Sequence, residues 1–139
     1  MEHEYVSARD EYRVQSSPEP SQRKIGSAAL KAFFAIASAK WGLSTGEQRI
    51  LLGGISESTY HTWKNNPDRK LTNDVLDRIS YILGIYKNLE ILLGTKDIAQ
   101  QWIKKPNDAF DGKSAIEVML GGRMANLSDV RHYLDSQRG

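Results

Sequence analysis

No cysteine occurs among the 139 residues. Disulfide frameworks, thiolate metal sites and cysteine nucleophiles are excluded together, and a reducing, cytoplasmic setting is expected. Charge of one sign is also scarce: 19 Lys and Arg are offset by 17 Asp and Glu, a net charge of +2. So small an excess gives no broad positive field, and counterion release could not drive tight non-specific nucleic-acid binding. Any DNA contact would depend on a local patch and on two copies acting together. No run approaches the roughly 18 apolar residues that span a bilayer, and the opening MEHEYVSARDEYRVQSSPEP has no apolar core of a signal peptide, so neither insertion nor export is expected.

Catalytic constellations are missing too. His3, His61 and His132 are scattered, with no His-x-x-x-His pair, so zinc has no ligand set. The glycines sit at turn positions and form neither a P-loop nor a dinucleotide fingerprint. No nucleophile with a base and no converging carboxylate pair can be picked out, and the chain is expected to be no enzyme, with no cofactor and no metal. What it does have is an ordinary soluble composition, 40% hydrophobic and 26% charged, enough for one core or for two small domains sharing one.

Apolar residues recur at helical spacing, and no alternating strand pattern appears, so the expected fold is all-α. Residues 1–22 read as a flexible arm with a Ser-Ser-Pro-Glu-Pro run. From Lys24, the positions Leu30, Phe33, Phe34, Ala37 and Trp41 describe a first helix closed at Gly42. Ser44 with Glu47 is a capping box that opens a second helix, ended at Gly53-Gly54. Ser56 opens a third, through about Lys64, terminated by Asn65, Asn66 and Pro67. Thr72 caps a fourth with Val75, Leu76, Ile79, Ile82 and Leu83 as its stripe. Beyond Gly84, the residues Ile85, Leu89, Leu92 and Leu93 either continue the stripe after a kink or form a seam with another chain. Asp97, Ser114 and Asn126 look like the starts of three short helices, at about 97–104, 114–120 and 126–137. The expected organisation is an arm at 1–22, a helix-turn-helix unit at 23–83 and a second helical unit at 84–139.

Two short helices joined by a glycine turn, the second exposing polar residues and anchored by aromatics, can place a recognition helix in the major groove. Here the unit is LSTGEQRILLGGISESTYHTWK, with Ile50, Ile55, Tyr60 and Trp63 expected to face the core. Outward then lie Glu57, Ser58, His61, Thr62 and Lys64. Ser58 and Thr62 can bond base edges, the Thr62 methyl can meet a thymine methyl, and Glu57 can accept from a cytosine amino group. Arg49, Ser56, Thr59 and Lys64 suit phosphate. His61, alone on a polar helix face, reads more readily as a solvated side chain than as a ligand or catalyst.

These residues resemble the Xre/MbcA/ParS group of antitoxins, which are paired in bacterial operons with RES-domain toxins. The resemblance covers roughly residues 30–139. It rests on Trp41-Gly42-Leu43-Ser44, on Leu51-Leu52-Gly53-Gly54-Ile55-Ser56 running into Ser58-Thr59-Tyr60 and Trp63-Lys64, and on Leu76 to Tyr86. Further along it rests on Trp102, Pro106-Asn107, Phe110, Gly112, Ser114-Ala115, Asp129-Val130-Arg131, Tyr133-Leu134-Asp135 and Arg138-Gly139. The resemblance implies a helix-turn-helix that represses its own operon and a C-terminal toxin-binding domain that covers the active site of an NAD-consuming toxin. It makes operator DNA and a RES-type toxin the partners. The arm lies outside the shared pattern, and Glu57 stands where a basic or amide residue would suit DNA better.

For toxin contact the candidates are Trp102, Pro106 and Asn107, together with Arg123, Arg131 and Arg138. A guanidinium could occupy the phosphate region of a site that handles NAD. Against this, Trp102, Phe110, Leu127, Val130 and Leu134 fall at helical spacing and read first as packing. A homodimer is expected, because one recognition helix of this charge binds weakly by itself. Two other readings stay open: a stand-alone dimeric helix-turn-helix regulator, and a pure toxin inhibitor with a vestigial DNA-binding half. A neighbouring frame encoding a lethal RES-type protein separates the first of these from an antitoxin.

Overall fold

A computed structural model describes residues 19–94 and 97–139; residues 95–96 and residues 1–18, which make up most of the expected arm and include His3, lie outside the described residues. Among the described residues there are seven α-helices and no strand: α1 (Pro20–Phe34), α2 (Thr45–Leu51), α3 (Glu57–Asn65), α4 (Asn73–Leu93), α5 (Asp97–Trp102), α6 (Ala115–Met119) and α7 (Met124–Arg138). None of them is long and apolar enough to cross a membrane.

Local chemistry places most of the boundaries. The α1 helix starts at Pro20, ahead of the expected Lys24, because proline presets φ at the first helical position. There the Glu19 N–H donates to Gln22 Oε1 at 3.2 Å. After Phe34 the helix widens into a π turn, Ala35–Lys40, in which the Trp41 N–H reaches back to the Ile36 carbonyl at 2.8 Å. Periodicity alone did not reveal this widening. The α2, α3, α4 and α6 helices are capped by the hydroxyls of Ser44, Ser56, Thr72 and Ser114, each accepting a backbone N–H three residues on. At α7 the expected start is displaced. Asn126 lies inside the first turn, and its Oδ1 accepts the Arg123 N–H at 2.9 Å, so the helix begins at Met124.

Gly84 does not end α4, which runs unbroken for 21 residues through the expected boundary between residues 83 and 84. The reason is packing. The Arg131 guanidinium of α7 lies so close to Gly84 that a β-carbon there would overlap it. Ile85 and Leu89 are fully buried in the core, on the helix that packs most extensively against α7, so the chain fills the expected seam with its own residues at these two positions, while Leu92 is half-buried and Leu93 exposed at the end of the helix. One apolar core results, drawn from both ends of the chain and including Phe33, Trp41, Tyr60, Ile82, Met119 and Val130. The two functional units therefore share α4 as a common spine.

Buried polar groups mark where the units are fastened together. Arg78 is only 9% exposed; its Nε donates to Asp74 Oδ2 and its Nη1 to the Gly122 carbonyl, both at 3.0 Å. Asn88 is 1% exposed; its Nδ2 donates to Asp135 Oδ1 at 2.7 Å and its Oδ1 accepts from Arg138 Nη1 at 2.8 Å. The Asn88 hydrogen bond, more than the nearby Arg131 charge, holds the Asp135 carboxyl below its ordinary value. Asn88→Ala is accordingly expected to raise the Asp135 pKa, measurable by carboxyl-carbon NMR titration. An unchanged titration would mean that the amide does not set it. Because the folded-state value is depressed, this contribution to stability is present above the unfolded value and is lost as pH falls through the folded one.

Candidate DNA-binding and partner-binding faces

The turn between α2 and α3 is built by Gly53 (φ 104°) and Gly54 (φ 80°), a conformation that side chains resist. Arg49 braces it, its Nε donating to the Ile55 carbonyl at 2.9 Å. The orientation of α3 is fixed from beneath by a buried relay. Tyr60 Oη donates to Gln48 Oε1 at 2.7 Å, and Gln48 Nε2 donates to the Leu43 carbonyl at 2.9 Å. Both side chains are 2% exposed, so neither has water as an alternative partner. Tyr60→Phe preserves the ring and strands the Gln48 oxygen, a loss of about 1 kcal/mol that chemical denaturation would register. No change would mean the relay is not made.

The opposite face of α3 carries the groups read as base and phosphate contacts. Glu57, Ser58, His61, Thr62 and Lys64 are exposed and Thr59 is half-buried. Several are already engaged. The Ser56 hydroxyl accepts the Thr59 N–H and donates to Thr59 Oγ1 at 3.0 Å, so this pair caps the helix. Thr62 Oγ1 donates to the Ser58 carbonyl at 3.0 Å. Glu57 and His61 stand 3.8 Å apart. Lys64 Nζ sits over the rings of Phe34 and Tyr60, at 5.4 and 5.7 Å. One core expectation fails: Ile50 is 38% exposed, because it stands beside the Gly122 turn at the rim, while Leu51 and Leu52 fill the interior.

In the C-terminal half, residues 106–114 form a closed loop. Pro106 bridges Ser114, the Asn107 N–H donates to the Lys113 carbonyl at 3.0 Å, and the Asn107 carbonyl accepts from Phe110 and Gly112. Asn107 Oδ1 also accepts the Ala109 N–H at 2.9 Å, which starts a 3₁₀ turn over Asp108–Phe110. Trp102, Phe110 and Tyr133, all half-buried, meet beside this loop. The Trp102 and Tyr133 rings stack with an interplanar angle of 12°, and Phe110 meets Tyr133 edge-on at 5.2 Å.

Residues 21–84 match the antitoxin Xre-like helix-turn-helix domain, and residues 88–139 match the antitoxin Xre/MbcA/ParS C-terminal toxin-binding domain. The chain belongs to the Xre/MbcA/ParS antitoxin family. It is also 44% identical over 124 residues to a protein of Sinorhizobium fredii (strain NBRC 101917 / NGR234) described as uncharacterized protein y4oB, covering 89% of this chain and 94% of that one.

In this Xre/MbcA/ParS antitoxin the structure exposes Glu57, Ser58, His61 and Thr62 on α3, and it brings Trp102 beside the loop that carries Pro106 and Asn107 while Arg123, Arg131 and Arg138 lie on α7 and its N-cap. Trp102 belongs to the aromatic group, Pro106 is exposed, and Asn107 is engaged within its own loop. Arg123 is exposed at the start of α7. Arg131 pairs with Asp135 along α7 at 3.5 Å and packs its guanidinium on Gly84 of α4, and Arg138 is bound to Asn88 of α4, so both arginines are engaged between the two helices. Sequence reasoning missed Arg78 and Asn88 as fasteners. Their signal was present: both sit on the apolar stripe of α4 among Val75, Ile82, Ile85 and Leu89, where a polar side chain needs a partner.

Proposed function

We propose that this antitoxin binds and blocks the active site of an NAD-consuming RES-domain toxin and, as a cytoplasmic homodimer, represses its own operon by DNA binding. It acts by occupying surfaces, with no catalysis and no cofactor. The observation that carries the reading is the meeting of two family matches on one helix: the helix-turn-helix match ends at residue 84 and the toxin-binding match begins at 88, both inside α4. On the DNA side, Ser58, Thr62 and Glu57 read base edges, while Arg49, Lys64 and the capped start of α3 meet phosphate. Dimerisation supplies the second recognition helix that a net charge of +2 makes necessary.

Co-expression with the product of the adjacent reading frame, followed by size-exclusion chromatography with light scattering and growth assays of each gene alone, tests this reading. A stable complex that restores growth supports it. A harmless neighbour that forms no complex contradicts it and leaves a dimeric helix-turn-helix regulator.

A further inference from the structure

Parts of the segment matched as toxin-binding are already used within the chain. The inner face of α7, with Leu127, Val130 and Leu134, is buried in the core shared with α4, and the Gly122 turn is held by Arg78 beside Ile50. Elsewhere on this segment stands the ridge of Trp102, Phe110 and Tyr133. It separates two open hollows, one bounded by Phe110, Val118 and Tyr133 and the other by Leu92, Leu93 and Trp102.

Three features distinguish this ridge from an incidental patch. Half-buried aromatic side chains beside hollows are the anchors that dominate protein interfaces. The loop carrying Phe110 is held by hydrogen bonds from both ends and by the Asn107 side chain, so binding would order little that is not already ordered. Carboxylates predominate here: Asp111 and Asp129 line the hollow beside Phe110 together with Lys113 and His132, and Asp108 is exposed on the same loop. An acidic margin around an apolar ridge selects a basic partner surface and repels an acidic one.

We infer that the Trp102–Phe110–Tyr133 ridge with its acidic margin is the surface that receives the toxin, docking a segment that carries lysine or arginine around an apolar side chain. This rests on the antitoxin reading above and assigns the anchoring contact to aromatics, with Arg131 and Arg138 left to hold α7 in place. The probe is the protein encoded by the adjacent reading frame, titrated calorimetrically against the full chain. Two variants bear on the ridge: Tyr133→Ser, and Asp111→Asn with Asp129→Lys. Asparagine is chosen because position 111 has φ 57°, which it tolerates. Lys31→Ala, at an exposed position of α1, serves as the control.

Each ridge variant is expected to weaken the complex at least about tenfold, while the circular dichroism spectrum and the control stay as in the parent. Should Tyr133→Ser unfold, the Asp111/Asp129 variant, altered only at exposed positions, carries the test. Wild-type affinity in a folded Asp111/Asp129 variant and in any folded Tyr133→Ser overturns the assignment and leaves the antitoxin reading standing. If the parent chain itself does not bind, the antitoxin reading fails, and the assignment with it.

Discussion

Gly26→Ala is expected to destabilise the protein by about 1–2 kcal/mol, since overpacking a core costs up to about 3 kcal/mol and alanine, the better helix former, returns about 1 kcal/mol. The two effects oppose each other, and the structure decides which wins. Gly26 is buried on α1 where the carbonyl of Arg69 crosses it, and a β-carbon there would collide with that backbone oxygen. A side chain could swing aside, but the Arg69 carbonyl cannot move without carrying the segment between α3 and α4 with it. Gly46→Ala supplies the contrast. At this exposed position of α2, the nearest atom to the new methyl is Ser44 Oγ at 3.9 Å, so the substitution is expected to be neutral or stabilising by about 0.5 kcal/mol. Urea denaturation of the pair is the check; stabilisation by both substitutions would show that α1 does not lie on Arg69 as described.

Arg78→Met is expected to lose about 2 kcal/mol and to lower Tm by roughly 6–10 °C, while loosening the Gly122 turn. The methionine keeps most of the apolar stem and removes both donors. Asp74 has a 58% exposed side chain and recovers water, which keeps the loss below that of a fully buried broken pair. The half-buried Gly122 carbonyl has no such easy recourse. Hydrogen exchange should therefore quicken around residues 122–126 before it does in α4. Faster exchange spread evenly over the chain would mean that Arg78 supports the core generally and does not tie the two units.

Much of this architecture could be read from residue order. Ser44 with Glu47, Ser56, Thr72 and Ser114 announce helix starts through short-range chemistry, and that chemistry survives folding unchanged. What could not be read are features decided by distant partners. Gly84 looks like a break, and it lies in mid-helix because Arg131, 47 positions later, packs against it. The π turn at Ala35–Lys40 leaves the apolar spacing almost as an α-helix would, so no periodicity argument could detect it. Similarly, the arginines of α7 invited a role as plugs because their partners, Asn88 and Asp135, lie on another helix or one turn away. The outward face of α3 was legible because Tyr60 marks the inward one, whereas the ridge was hidden: Trp102, Phe110 and Tyr133 come from three separate elements.

The central claim is that the chain presents two separable binding faces on one spine. It is tested most directly by measuring operon-reporter repression and growth rescue together in cells carrying Ser58→Ala with Thr62→Ala. Derepression with growth still rescued from the partner toxin is the predicted result. Loss of both activities in a variant that remains folded, or repression that persists unchanged, would contradict it.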